Sequence, residues 1–173
     1  MGGESSRKRC LTMYVDINIL EPMSRPNPVP FEVTLRVRDC CLCLHVQRTA
    51  RALARRFDEA LRPVGLNNGQ FSMLMSLNRP QPATMSSVAN LLAMDRTTLT
   101  AALKTLERRG LVIVAPDPED RRSRQLSLTE EGRAALAAAV PIWELAHVEL
   151  EKLLGTGDTV DAQGLRKGLA ALS

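Results

Sequence analysis

Aromatic residues are scarce in this 173-residue chain, where one Trp, one Tyr and three Phe make up 3% of the total. Sandwiches and barrels draw heavily on aromatic and β-branched side chains. Their scarcity, beside abundant Ala and Leu, points instead to helices packed through small and straight-chain residues. Long apolar runs are also missing. The longest uncharged one, Ala134 to Trp143, has ten residues and contains Pro141, about half of the ~20 needed to cross a bilayer. The stretch after Arg7-Lys8-Arg9 meets Asp16 too soon for a secretory signal, so the expected location is cytoplasmic, with no membrane partner. Three of the four cysteines crowd at Cys40, Cys41 and Cys43, which is not a disulfide framework. There is no Gly-rich phosphate loop and no nucleophile elbow, and the two histidines lack an acid and a nucleophile at matching spacing. An enzyme is not expected, nor a cofactor or metal.

The chain does have 45% apolar and 24% charged residues, a globular balance with material for about one domain. Its net charge of +4 is unevenly spread. Residues 129–173 carry four basic and seven acidic side chains, net −3, which leaves +7 on the part before them. A basic segment joined to an acidic one is the electrostatic footprint expected of a nucleic-acid binder.

Residues 1–38 contain Pro22, Pro26, Pro28 and Pro30 and little periodicity, and read as a disordered extension. From Asp39, a candidate cap, Leu42, Val46, Ala50, Leu53, Phe57 and Leu61 recur at helical spacing, until Pro63 and Gly65 end the helix. A second helix is predicted over about 68–78, broken by Pro80-Gln81-Pro82. Two short helices follow, one capped by Ser86 and running to Leu92, the other capped by Asp95 and running to Arg109, with Gly110 as its stop. Leu111 to Ala115 and Arg124 to Leu128 read as a hairpin around Pro116 to Asp120. Thr129 caps a long helix that Pro141 should kink, and a short helix covers about 161–172.

The pair of helices from Ser86 to Arg109 is joined by Ala93-Met94 alone, so they must cross steeply, as in a helix-turn-helix. Val88, Ala89, Leu92, Leu99, Leu103 and Leu106 supply the inward faces. Outward, the second helix carries Thr97, Thr98, Ala101, Lys104, Thr105 and Arg108, with Arg96 in its first turn, where free backbone N–H groups also point out. On its own such a face is equally well a solvated surface. The hairpin decides between the two, because its tip carries Arg121, Arg122 and Arg124, and an exposed β-tip with arginines suits a narrow, electronegative minor groove. Asp120 is read as the residue that aims one of these arginines.

The stretch MSSVANLLAMDRTTLTAALKTLERRGLV, followed by DPEDRR and LSLTEEG, resembles the MarR family of winged-helix transcriptional regulators over about residues 40–155. The resemblance implies a mainly α fold with a small β-hairpin wing, a winged helix-turn-helix (66–128) inside a helical dimerisation region (39–65 and 129–173). It also implies a homodimer whose first and last helices interlock on a pseudo-palindromic site in double-stranded DNA. Thr97, Thr98 and Lys104 would face the major groove, Arg122 would enter the minor groove, and Asp120 would orient it. A small aromatic or anionic effector would bind between the winged domain and the dimer helices, where arginines along 48–62 could pair a carboxylate. Two positions depart from the common pattern: Ala93 replaces a frequent turn Gly, and Ala101 replaces a frequent base-reading Arg.

Leu136, Val140, Trp143, His147, Leu150 and Leu154 form a stripe on the long helix, read as core or dimer seam with His147 half-buried and hydrogen-bonded. Two alternatives accompany the regulator reading. One is a winged-helix docking module that binds no DNA. The other is a thiol sensor: counting back from Gln70 places Cys43 where an organic-hydroperoxide-sensing branch of the family has its reactive cysteine, with Cys40 or Cys41 to resolve it. That branch surrounds its thiol with tyrosines, and here the matching residues are Gln47, Phe57 and Asn68. Burial as a small hydrophobe is the competing role for these cysteines.

Overall fold

The computed structural model describes residues 28–118, 120, 123–155 and 161–172. The chain divides into two compact units, up to Ala52 and from Leu53 onward. The first holds α1 (Phe31–Cys40) and the start of α2 (Leu42–Leu61). Part of the stretch expected to be disordered is therefore helical. Pro30 precedes α1, Glu32 lies in its first turn and Arg38 in its last, so both charges complement the helix dipole. The period-2 pattern of Phe31, Val33, Leu35 and Val37 hides the helix from a search at 3.6. Asp39 caps nothing: it ends α1 in an ion pair with Arg38, Nε to Oδ1 2.6 Å.

The second unit contains the rest of α2, a 3-10 turn (Arg62–Val64), α3 (Asn68–Leu77), β1 (Ala83–Thr84), α4 (Met85–Leu92), α5 (Arg96–Arg108), β2 (Val112–Pro116), β3 (Arg124–Leu128), α6 (Glu130–Gly155) and α7 (Ala162–Ala170). The strands form an antiparallel sheet in the order β1-β3-β2, with Val112 opposite Leu128 and Pro116 opposite Arg124. The two-residue β1, set between Pro82 and a helix, is too short to announce itself in sequence. It pairs Ala83 with Leu126.

One core joins these elements. Leu61, Met73, Leu74, Val88, Leu99, Leu106 and Leu126 are all under 2% exposed, and Leu136 and Ala139 of α6 close over them. Full burial of such a side chain stabilises by roughly 1.5–3 kcal/mol. The long stripe on α6 turns partly into this core: Val140 and Trp143 pack on it half-buried. The opposite side of α6 exposes Leu145 and Val148. α6 runs as one helix through Pro141, and no described helix is long and apolar enough to cross a membrane.

The Leu128-Thr129-Glu130-Glu131-Gly132 segment is the tightest junction. The Thr129 hydroxyl donates to the Gly110 carbonyl at 2.6 Å and accepts the Gly132 N–H at 2.9 Å, while the Thr129 N–H donates to the Leu111 carbonyl at 3.2 Å. A Cβ on Gly132 would lie 2.0 Å from the Leu111 carbonyl oxygen. Because that neighbour is backbone, Gly132→Ala must force α6 and β2 apart, and we expect a loss of about 3 kcal/mol or more. Urea denaturation of the variant and the parent measures it, and a midpoint within error of the parent would refute the junction.

Candidate nucleic-acid interface

α5 is built to stand clear of the core on one side and sink into it on the other. Leu99, Leu103 and Leu106 are buried, while Arg96, Thr97, Thr98, Ala101, Lys104 and Arg108 are exposed and Thr105 is half-buried. The turn before it is strained. Ala93 has φ 50° and ψ 40°, the left-handed region, and is the one non-glycine residue there among the described residues. The departure from Gly noted in the sequence is thus a real backbone feature. Upstream, α4 begins two residues earlier than expected and is capped by Thr84, whose hydroxyl accepts the Ser87 N–H at 3.2 Å. Ser86 therefore sits inside the first turn rather than at the cap.

Asp95 caps α5 as expected. Its Oδ1 accepts the Thr98 N–H at 2.9 Å and its Oδ2 accepts the Thr98 hydroxyl proton at 2.6 Å. The Thr98 hydroxyl bond, and then the Thr98 backbone N–H, hold the Asp95 carboxyl below its ordinary range. Thr98 thus spends its one O–H on the cap and keeps only acceptor lone pairs for an outside partner. The Thr100 hydroxyl donates to the Arg96 carbonyl at 2.7 Å, and that of Thr105 to the Ala101 carbonyl at 3.3 Å. The Thr97 hydroxyl and the cations of Arg96, Lys104 and Arg108 have no side-chain partner among the described residues. These are the groups α5 offers outward.

The C-terminal end of α5 is closed by a Schellman turn. The Leu111 N–H donates to the Leu106 carbonyl at 3.0 Å and the Gly110 N–H to that of Glu107 at 2.9 Å, with Gly110 at φ 69°. Arg109, which sequence reasoning passed over, reaches Gln70 and Gly65. Its partners are 39 and 44 residues away, so no local pattern could reveal them. The Asn67-x-x-Gln70 spacing of a capping box was legible, and the box forms.

The hairpin carries an exposed Arg124 at the end of β3. Its tip is closed by the Asp117 N–H donating to the Ser123 carbonyl at 3.2 Å and the Ser123 N–H to that of Asp120 at 2.8 Å. Asp120 is exposed. Arg121 and Arg122, and with them the expected pairing to Asp120, lie outside the described residues.

The cysteine cluster has a different geometry from the expected sensor. Cys40 takes part in a disulfide bond, while Cys41 and Cys43 are free. The Cys43 sulfur is exposed and accepts from Gln47 Nε2 at 3.3 Å; the Cys41 sulfur accepts the Leu44 N–H at 3.5 Å. His45 turns to the Asp39 carbonyl at 3.2 Å. On α6, His147 is half-buried as expected, but its Nδ1 is buried without a hydrogen-bond partner among the described residues, and its ring lies 4.6 Å from Trp143 and 5.8 Å from Phe57. No group of three or more metal-ligating side chains occurs among the described residues.

A model of the MarR family matches residues 66–123. The HTH-type transcriptional repressor NicR of Pseudomonas putida is 31% identical over 121 residues, 69% of this chain and 73% of its own. The chain belongs to the MarR family. The transcriptional activatory protein BadR of Rhodopseudomonas palustris is 36% identical over 95 residues, and the match spans 53% of this chain but only about half, 54%, of BadR. Among solved structures, the M. tuberculosis transcriptional regulator MosR in complex with DNA is 39% identical, with a TM-score of 0.68 over 76% of this chain and 92% of that one. The mainly helical fold with its three-stranded sheet is that of these winged-helix transcriptional regulators.

The Asp95 cap carries a pH signature. A carboxyl whose native pKa is depressed contributes stability that is fully present above its unfolded value and is lost as pH falls through the native one. Acid unfolding of the parent below about pH 4 should therefore be steeper than that of Asp95→Asn, which can still cap but does not titrate. Urea midpoints across pH 2–6 check this; parallel acid limbs would show that the carboxylate cap adds nothing.

Proposed function

We propose that this MarR-family chain is a homodimeric, sequence-specific DNA-binding transcriptional regulator of the cytoplasm. It acts as a repressor on a pseudo-palindromic operator with half-sites about one helical turn apart. The observation that carries the reading is the outward face of α5. Arg96, Thr97, Lys104 and Arg108 are exposed and without side-chain partners among the described residues, on a helix held at both ends. Phosphates are the partner such cations lack, and base edges the partner of Thr97, Thr98 and Lys104. Arg124 and the tip arginines Arg121 and Arg122 add a second contact in the flanking minor groove, with Asp120 aiming Arg122. The DNA complex of MosR and the repressor role of NicR support this assignment. The second protomer is supported by apolar side chains left in solvent on α6, on α7 and just after it: Leu145 is 70% exposed and Leu172 66%, and Val148 and Leu169 are also exposed.

Release by a small aromatic or anionic effector completes the proposal. Phe71 and Trp143 stack at 6.0 Å, and His147 continues the cluster with its unpartnered Nδ1. An aromatic carboxylate matches rings of this kind and an imidazole donor; Phe57 of α2 lies 5.8 Å from the His147 ring, and Arg55 and Arg56 precede it in sequence. Such a ligand controls DNA affinity only through its differential affinity for the two arrangements of the reading helices.

Fluorescence anisotropy on the DNA upstream of the protein's own gene, with sedimentation, tests the whole. We expect a dimer whose affinity falls steeply with salt as counterions are released. Arg122→Ala should weaken binding to all sequences by roughly 5- to 150-fold, the equivalent of ~1–3 kcal/mol. Thr98→Ala and Lys104→Ala should act at particular base pairs. A stable monomer without salt-dependent DNA affinity would overturn the function, and an Arg122→Ala variant that binds like the parent would overturn the wing assignment.

A further inference from the structure

Arg108 and Arg109 are adjacent at the C-terminal end of α5, yet the structure sends them in different directions. Arg108 is exposed with no partner among the described residues. Arg109 folds its guanidinium back across the winged domain. Nη1 donates to Gln70 Oε1 at 3.0 Å, and Nη2 donates to the Gly65 carbonyl at 2.9 Å. Both acceptors are fixed in their turn. Gln70 Oε1 also accepts the Asn67 backbone N–H at 3.2 Å, and the Gln70 N–H donates to Asn67 Oδ1 at 2.8 Å, so the amide belongs to the capping box that starts α3. With Arg109 added, both lone pairs of that oxygen are occupied. Gly65 stands at the corner where the chain leaves α2 through the 3-10 turn, its N–H donating to the Arg62 carbonyl at 2.9 Å.

We propose that Arg109 is a positioning residue for DNA reading. It is a two-pronged brace that ties the C-terminal end of α5 to the corner between α2 and α3, and it sets the angle at which α5 presents its outward face without itself touching DNA. The proposal rests on the DNA-binding reading above. A guanidinium suits the task because its donors form a planar fork of fixed geometry, whereas a lysine ammonium is a point charge on a flexible stem. At its other end α5 is fixed by the Asp95 cap and the two-residue link from α4. The Thr129–Gly110 bond still holds the stop of α5 when the brace is lost. What disappears is the tie toward the corner between α2 and α3, and the helix tilts about the points that remain. The contacts along the outward face shift together, most of all those of Lys104 and Arg108 near the end that loses its tie. The brace also makes α5 answer to α2, since any shift of the Gly65 corner moves the acceptor that Arg109 holds.

The test uses the full chain with Arg109→Met, Arg109→Lys, Arg108→Met, Gln70→Leu and Gln70→Glu. Each is titrated with operator DNA over a range of salt, well below its melting temperature, and each is melted without DNA. Arg109→Met should bind at least tenfold more weakly at every salt concentration, with the slope of log affinity against log salt unchanged. Arg108→Met, as a phosphate contact, should lower that slope by about one. Arg109→Lys should not restore affinity. Gln70→Glu, which keeps both acceptor roles, should bind like the parent. Gln70→Leu, which removes one of the two prongs and leaves the Gly65 carbonyl, should fall between the parent and Arg109→Met. In the melts, Arg109→Met and Gln70→Leu should be non-additive in the double variant, a coupling read without DNA. A slope reduced by about one in Arg109→Met would make Arg109 a phosphate contact and overturn the brace. Unchanged affinity in a folded Arg109→Met would reduce it to a stabilising contact and overturn the positioning role, and additive melts would deny the link to Gln70. A parent protein that binds no DNA at any salt would overturn the function and the positioning role together, an outcome distinct from each of these.

Discussion

At Gly132 the first turn of α6 and the start of β2 approach until there is no room for a Cβ, whose nearest neighbour would be a carbonyl oxygen at 2.0 Å. That contact fixes where the long helix begins relative to the hairpin, and the hydroxyl of Thr129 fixes both to the end of α5 through the Gly110 carbonyl. Three segments thus meet over a few backbone groups: the stop of α5, the root of the β2–β3 hairpin and the cap of α6. Arg133 adds a fourth link, donating to the Leu128 carbonyl at 3.1 Å as well as pairing with Glu130. Each hydrogen bond is worth about 1 kcal/mol net. Their weight is geometric: they convert the burial of Leu106, Leu111 and Leu128 into one fixed arrangement.

From that junction, the polar groups of α5 sort into those used to hold the helix and those left over. Thr98, Thr100 and Thr105 give their protons to the Asp95 carboxylate or to carbonyls of the same helix. Arg109 holds the far end. What is left facing solvent is a shorter set than the composition of the helix suggests. With Ala101 supplying no polar atom in the middle of that face, the outward chemistry concentrates in the first turn and around Lys104 and Arg108.

Local patterns in the sequence carried most of this fold. Periodicity placed α2, α3, α5 and α6, and turn chemistry placed the hairpin, because each signal lies within a few residues of its effect. The resemblance carried by the Asp95 and Leu-Thr-x-x-Gly segments pointed to the family and its mainly helical fold with a small sheet. The failures share a cause as well. α1 has its apolar residues at the wrong period and buries none of them, so its charges and Pro30 outweigh its pattern. Thr84 displaced Ser86 as a cap because pairing of Ala83 with Leu126, a contact 43 residues long in sequence, decides where α4 starts. The Arg109 brace and the exposed apolar side of α6 depend on which face of a helix meets the rest of the chain, and that is settled by packing alone.

Ala93 shows what the arrangement tolerates in return. A left-handed alanine is disfavoured by about 1–2 kcal/mol, and a glycine there would relieve the clash. The strain persists because the turn is determined from both sides. The Met94 N–H donates to the Ala89 carbonyl at 2.9 Å and the Ala93 N–H to that of Asn90 at 3.3 Å, ending α4 in the same 6→1 and 5→2 pattern that Gly110 gives α5. One residue later the Asp95 cap begins the next helix. Between Asn90 and Asp95 there is no unconstrained residue to absorb a different crossing angle. An alanine that narrows the accessible backbone also narrows the range of angles α5 can take from its N-terminal end, and Arg109 does the same from the other. α5 is thus held from its N-terminal side by a strained turn and at its other end by a long-range guanidinium and the Thr129–Gly110 bond, so its angle is determined by constraints of unrelated origin.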